Sequence, residues 1–121
     1  VTHQARFSSQ SASGVTVVSI EGEVDIANVG ELRLYLEQAI EEQGAGLVVD
    51  LTKATYFDSR TIALLAEVST KIRIHRQRVA LVAPASGFAA RILEIAGLSQ
   101  IVPAFPALKE ATDSVKLPAP T

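Results

Sequence analysis

Tyr56-Phe57-Asp58-Ser59-Arg60-Thr61-Ile62-Ala63-Leu64-Leu65 follows a short, continuous apolar run, Leu47-Val-Val-Asp-Leu51. The apolar run suits a central strand covered on both faces. The stretch after it is predicted to open a helix running from about Arg60 to Arg76. Ile62, Leu65, Ala66, Ser69 and Ile72 recur at helical spacing along one face, opposite Arg60, Glu67 and Lys71. Leu64 falls at the edge of the apolar arc, as a flank of the core or an exposed partner contact. Between strand and helix stand an acid and two hydroxyls, where a helix presents its unpaired N–H groups. Such a position accommodates an anion or a phosphoryl group. It also suits an ordinary N-cap, with Asp58 or Ser59 accepting from the first turn. The local chemistry alone favours the cap.

Outward from this centre, the pattern is one of strands alternating with helices. Towards the N-terminus, Gln4–Ser8 and Val15–Ile20 read as two strands of a hairpin, joined by the Ser/Gly-rich segment Ser9–Gly14. No strong two-residue turn signal sets its register. Gly22 breaks the second strand pattern and Asp25 follows it. Asn28, with Glu31 three residues on, has the form of a capping box. The helix it opens is predicted to reach Gln43 and to stop at Gly44. Leu32, Leu36, Ala39 and Ile40 form its apolar face, and Glu31, Glu37, Glu41 and Glu42 its solvated one.

Towards the C-terminus, Val79–Ala83 reads as a second buried strand stopped by Pro84. Ser86 is placed to cap a short helix through Ala96, with Phe88, Ile92 and Ile95 turned inward and Gly97 ending it. A brief edge strand is expected at Gln100–Val102. A last helix follows from Pro106 to Val115, held down by Leu108 and Ala111. The order β-β-α-β-α-β-α-β-α implies an α/β fold with a mixed, mostly parallel sheet opened by a β-hairpin, and about four helices. The expected domain covers residues 1–116, with residues 117–121 as a disordered tail.

Composition narrows the function. The chain has 121 residues and a formal charge of −2, so it offers no broad basic surface for nucleic acid. It has no apolar run long enough to span a membrane, and no signal-peptide pattern opens it. A cytoplasmic protein is expected. Without Cys it has no thiol nucleophile or zinc–thiolate site. His3 and His75 have no further ligand at metal-site spacing. The basic run Lys71–Arg78 suits a helix C-terminus, where cations complement the dipole. There is no GxGxxG, no GxxxxGK[ST] and no GxSxG motif. A pocket of Asp25, Asp58 and Ser59 would lack a base to activate the hydroxyl. The chain is therefore not expected to be an enzyme, nor to hold a cofactor or metal.

Three stretches resemble the STAS domain family of bacterial anti-sigma factor antagonists. Gly22-Glu-Val-Asp-Ile-Ala27 is similar to the family's Gly-Glu-Leu-Asp segment. Val49-Asp-Leu-Thr-Lys-Ala-Thr-Tyr-Phe-Asp-Ser59 is similar to its Asp-Leu-Ser…Phe-(Ile/Met)-Asp-Ser segment. Arg91-Ile-Leu-Glu-Ile-Ala-Gly-Leu98, with Ile101–Phe105 after it, resembles the late helix and final strand.

The resemblance implies a single STAS-like domain that binds an anti-sigma factor, itself an ATP-dependent serine kinase, and so releases a sigma factor. It implies phosphorylation of Ser59 as the step that ends binding, with Thr61 as the second candidate acceptor. It also implies a partner surface at Asp25, Asp58, Ser59, Arg60, Thr61 and Leu64. The family's run after the acid is Ser-Ser-Gly or Ser-Thr-Gly and then Leu, whereas this chain has Ser59-Arg60-Thr61-Ile62. Arg60 puts a cation beside the acceptor, where it would neutralise an incoming phosphate or select a different partner. The alternative within the family is an accessory STAS subunit of a membrane lipid transporter or sensory assembly, in which Ser59 is an N-cap and is never phosphorylated.

Overall fold

The computed structural model describes residues 4–41 and 44–116. The expected disordered tail at 117–121, His3, Glu42 and the predicted end of the first helix at Gln43 lie outside them. Five strands form one sheet in sequential order: β1 (Ala5–Ala12), β2 (Val15–Val24), β3 (Gly46–Phe57), β4 (Arg78–Val82) and β5 (Ala104–Phe105). β1 is antiparallel to β2, and all other pairs are parallel. The helices are α1 (Val29–Glu41), α2 (Ser59–Ile74), α3 (Phe88–Ile95) and α4 (Leu108–Val115), with one 3-10 turn at Leu98–Gln100. This is the predicted element order.

Parallel neighbours need crossovers, and a sheet that advances strand by strand lays crossovers of one hand on one face. The core follows that rule. Val18 and Ile20 of β2, Leu47, Val49 and Leu51 of β3 and Leu81 of β4 pack with Leu32 and Leu36 of α1, Leu65 and Val68 of α2, and Leu93 of α3. The alternate residues Val15, Val48, Ala80 and Val82 face Ala111 and Val115 of α4. Fully burying a Leu such as Leu36 is worth about 1.5–3 kcal/mol. On the α4 side, the sheet between β1, β2 and the far half of β3 stays open as a groove of about 450 Å³. Its charged lining (Arg6 and Lys53 against Glu21 and Asp50) balances.

Several expected boundaries shift. Ser13 and Gly14 make the hairpin turn, both at positive φ (55° and 80°), between the paired Ala12 and Val15. This is a two-residue turn whose twist matches the strands, so β1 runs on to Ala12. β2 continues through Gly22 to Val24, with Gly22 at φ +91° beside register irregularities. β3 does not stop at Leu51 but extends to Phe57. The Asn28 side chain does not cap α1; its Oδ1 accepts from the Asp25 N–H (2.9 Å) and its Nδ2 donates to the Glu23 carbonyl (3.0 Å). α3 starts from Gly87 rather than a Ser86 cap. Its buried residues are Ala89 and Leu93, while Ile95 is 75% exposed. Residues 98–100 form the 3-10 turn, and the last strand lies at Ala104–Phe105. In α4, Val115 joins Ala111 in the core while Leu108 is exposed.

α1 and α2 are tied on their solvent side by Arg33, which donates to Glu67, with Lys71 also near that carboxylate (4.0 Å). The Arg33 hydrogen bond, aided by the charges of Arg33 and Lys71, holds the Glu67 carboxyl below its ordinary value of 4.5. A depressed carboxylate stabilises the fold above its unfolded pKa and loses that contribution as pH falls through the folded value. Wild type should therefore lose stability on acidification from about pH 4.5 downward by more than Glu67→Gln does. Urea midpoints of the two proteins at pH 7 and pH 3 check this; equal losses would remove Glu67 from the account.

Candidate functional site

β2 and β3 end side by side, with Val24 paired to Phe57, and both residues are buried. The next residues are Asp25 and Asp58. Adjacent strands lie about 4.8 Å apart, so two acids leave the sheet together at its C-terminal edge. In a parallel sheet this edge is where the following helices present their N-termini.

Asp58 is extended (φ −109°, ψ −170°) and caps α2, its Oδ1 accepting from the Arg60 N–H at 3.0 Å. Its Oδ2 takes the Arg60 guanidinium at 2.7 Å. The cap is therefore Asp58 and not Ser59. Ser59 occupies the first helical position and is exposed. A helix end leaves N–H donors without intrahelical acceptors, and one carboxylate oxygen suffices for the Arg60 N–H. The Ser59 hydroxyl is left out of the cap.

The loop after β2 is tied by its own side chains. Asp25 Oδ1 accepts from the Ala27 N–H at 2.9 Å, and the Asp25 carbonyl accepts from Asn28 and Val29. Ile26 is held outward at the crest of this loop. Tyr56 is also exposed and stacks on Phe88 of α3, with ring centroids 6.2 Å apart; Phe88 meets Phe57 edge-on at 5.3 Å. The three rings form an apolar cluster at the end of β3, where Phe57 immediately precedes Asp58.

The structure thus gathers Asp25, Asp58, Ser59 and Arg60 at one edge. Thr61 and Leu64 go elsewhere. Thr61 is 0% exposed and Leu64 2%, so in this conformation neither presents a side chain to a partner, and the Thr61 hydroxyl is no accessible acceptor. Thr61 Oγ1 is buried without a hydrogen-bond partner. Ile26 and Tyr56 were given no role by sequence reasoning. Both look like core residues by type, and only the fold shows that they face outward beside the acids. Among the described residues, no group of three or more His, Cys, Asp or Glu could hold a metal ion. Among them too, no helix is long and apolar enough to cross a membrane.

The family model of the STAS domain matches residues 6–111, and the chain belongs to that family. A sequence comparison with curated proteins finds no match. Among solved structures, an anti-sigma factor antagonist from Mycobacterium paratuberculosis is similar at 24% identity and TM-score 0.80, over 94% of this chain and 96% of that one. The Bacillus cell fate determinant SpoIIAA in its phosphorylated form is similar at 19% identity and TM-score 0.69, over 91% and 99%. RsbS of Moorella thermoacetica, with a serine-to-glutamate substitution, is similar at 23% identity and TM-score 0.73, over 92% and 95%. At these identities the likeness establishes a shared fold.

Proposed function

We propose that this STAS domain is an anti-sigma factor antagonist, a cytoplasmic binding module rather than an enzyme. Its partner is an anti-sigma factor that is also a serine kinase, and binding releases a sigma factor. Phosphorylation of Ser59 ends the complex. The observation that carries the reading is the state of Ser59: exposed, first in α2, and relieved of the capping role by Asp58. A structurally similar antagonist, SpoIIAA, is known in unphosphorylated and phosphorylated forms, which supports a phosphorylation switch on this fold.

The chemistry is modest on this side of the interface. The Ser59 Oγ forms a bond to the γ-phosphorus of ATP, the bond to the ADP oxygen breaks, and the hydroxyl proton leaves to a base on the kinase. ATP and catalytic groups belong to the partner. The product carries about −1.5 to −2 charge and three acceptor oxygens, beside Asp58 and near Asp25. Within its own domain the phosphate meets a helix N-terminus, which tolerates it. Against a packed partner it must be desolvated next to like charges.

Capture of partners on the purified domain, with and without ATP, followed by phosphosite mapping, tests the proposal. A serine kinase should bind without ATP and leave as Ser59 gains phosphate, with affinity falling at least about tenfold, or about 1.4 kcal/mol. Ser59→Ala should stay bound in ATP. A transporter or scaffold subunit that remains bound in ATP, with Ser59 unmodified, would overturn it in favour of an accessory module.

A further inference from the structure

We infer that Arg60 is a phosphate receiver built into the first turn of α2: once Ser59 is phosphorylated, its guanidinium leaves Asp58 and pairs with the phosphate. This deepens the phosphoswitch reading and rests on it for its biological meaning.

The geometry supplies three reasons. First, the Arg60 side chain doubles back across residue 59 to reach Asp58 Oδ2 at 2.7 Å. Its charged head is thereby held at the N-terminal end of α2, against the residue that precedes Ser59. Second, Asp58 divides its work between two oxygens. Oδ1 holds the Arg60 N–H, and Oδ2 holds the guanidinium. The guanidinium can leave without undoing the cap. Third, the pair is easily broken. The Arg60 side chain is 53% exposed against 21% for Asp58, so the guanidinium is the solvent-screened, movable member of the pair. A phosphate dianion offers the fork of a guanidinium twice the charge of a carboxylate and a bidentate match.

The consequence is a transfer of exposed charge. Before modification Asp58 is neutralised by Arg60. Afterwards the phosphate is partly neutralised, and Asp58 keeps its cap bond but loses its counter-ion. The partner then faces an uncompensated carboxylate at Asp58 as well as the phosphate. The swap also holds the phosphate in its dianionic form at lower pH.

Phosphoserine placed at position 59 during translation tests this without any kinase, so the result is independent of whether a kinase acts on Ser59. The charged groups around the phosphate are Asp58 and Arg60 at the start of α2 and Asp25 from the neighbouring strand end. Asp25, Asp58 and the helix terminus are common to both proteins compared. Phosphorus NMR titration should put the second ionisation of the wild-type phosphoserine below its ordinary value of about 6. Arg60→Gln should raise it by at least roughly half a unit, a threefold change in proton affinity. In the wild type, the Arg60 side-chain N–H resonances should move on phosphorylation and follow the phosphate titration. Equal phosphate pKa values in the two folded proteins, or Arg60 resonances that ignore the phosphate, would overturn the assignment.

Discussion

Replacing Gly46 with Ala is expected to cost at least about 3 kcal/mol and to lower the melting temperature by roughly 10 °C. Gly46 opens β3 and pairs with Arg78 of β4. A Cβ there would land on the Arg78 carbonyl oxygen, far inside van der Waals contact, and 2.9 Å from its carbonyl carbon. Both atoms belong to backbone, so no side chain can swing aside. The neighbouring ladder is fixed as well, with the Arg78 N–H donating to the Ala45 carbonyl at 3.2 Å. Relief requires the two central strands to part where the core is fully buried. Gly30 is the control. It lies in α1 with nothing within 4 Å of an added Cβ, so Gly30→Ala should be neutral or stabilising by up to about 1 kcal/mol. Thermal and urea unfolding of both variants check the pair. A Gly46→Ala protein as stable as wild type would show that β3 and β4 are not so closely apposed.

Local pattern exposed the alternation of strands and helices because each central strand is apolar on both faces and each long helix carries one apolar stripe. It failed where tertiary pairing replaced the local period. Along β3, burial after Leu51 falls on Ala54 and Phe57, every third residue, with Thr52, Lys53, Thr55 and Tyr56 exposed. The two-residue period of a strand is lost because β3 carries an extra residue against β2 at two points, between Asp50 and Lys53 and between Ala54 and Tyr56, so the segment resembles a loop. The hairpin turn was hidden for a related reason. Ser13 takes a left-handed φ of 55°, a conformation Asn or Asp signals far more clearly than Ser. In α3 the apolar residues Phe88, Ile92, Leu93 and Ile95 surround much of a helix of only eight residues, and composition does not say which of them meets the sheet.

The candidate site was legible in the order Asp58-Ser59 after a strand, since a carboxylate before a helix is a capping signal whatever its further use. What the sequence withheld was orientation. Thr61 and Leu64 lie three and six residues after the cap, and that phase turns both inward, so that of the partner residues expected on α2 Ser59 and Arg60 remain on the surface. Thr61 is the local rule broken at this site: a buried hydroxyl with no partner, where an unpaired group costs about 1–3 kcal/mol.

Phe57→Ala is expected to cost about 3–5 kcal/mol, a large part of the roughly 5–15 kcal/mol that holds a domain of this kind together. Phe57 is 2% exposed, ends β3 opposite Val24 and takes the edge of Phe88. Its removal would open a void immediately before Asp58, the next residue in the chain, and remove the ring against which α3 braces the strand end. The loss should reach the site as well as the stability. With the strand end unsupported, Asp58 no longer holds its extended cap geometry, and the Arg60 N–H that it accepts at 3.0 Å becomes open to solvent. Phe57→Leu keeps most of the volume and should cost less than about 2 kcal/mol. Hydrogen exchange at the Arg60 amide separates the two effects. It should quicken in Phe57→Ala beyond what the loss of global stability accounts for, and stay near wild type in Phe57→Leu. An Ala variant that keeps wild-type protection at Arg60 would mean that the cap stands without the Phe57 ring. The position of Ser59 would then be set by α2 alone.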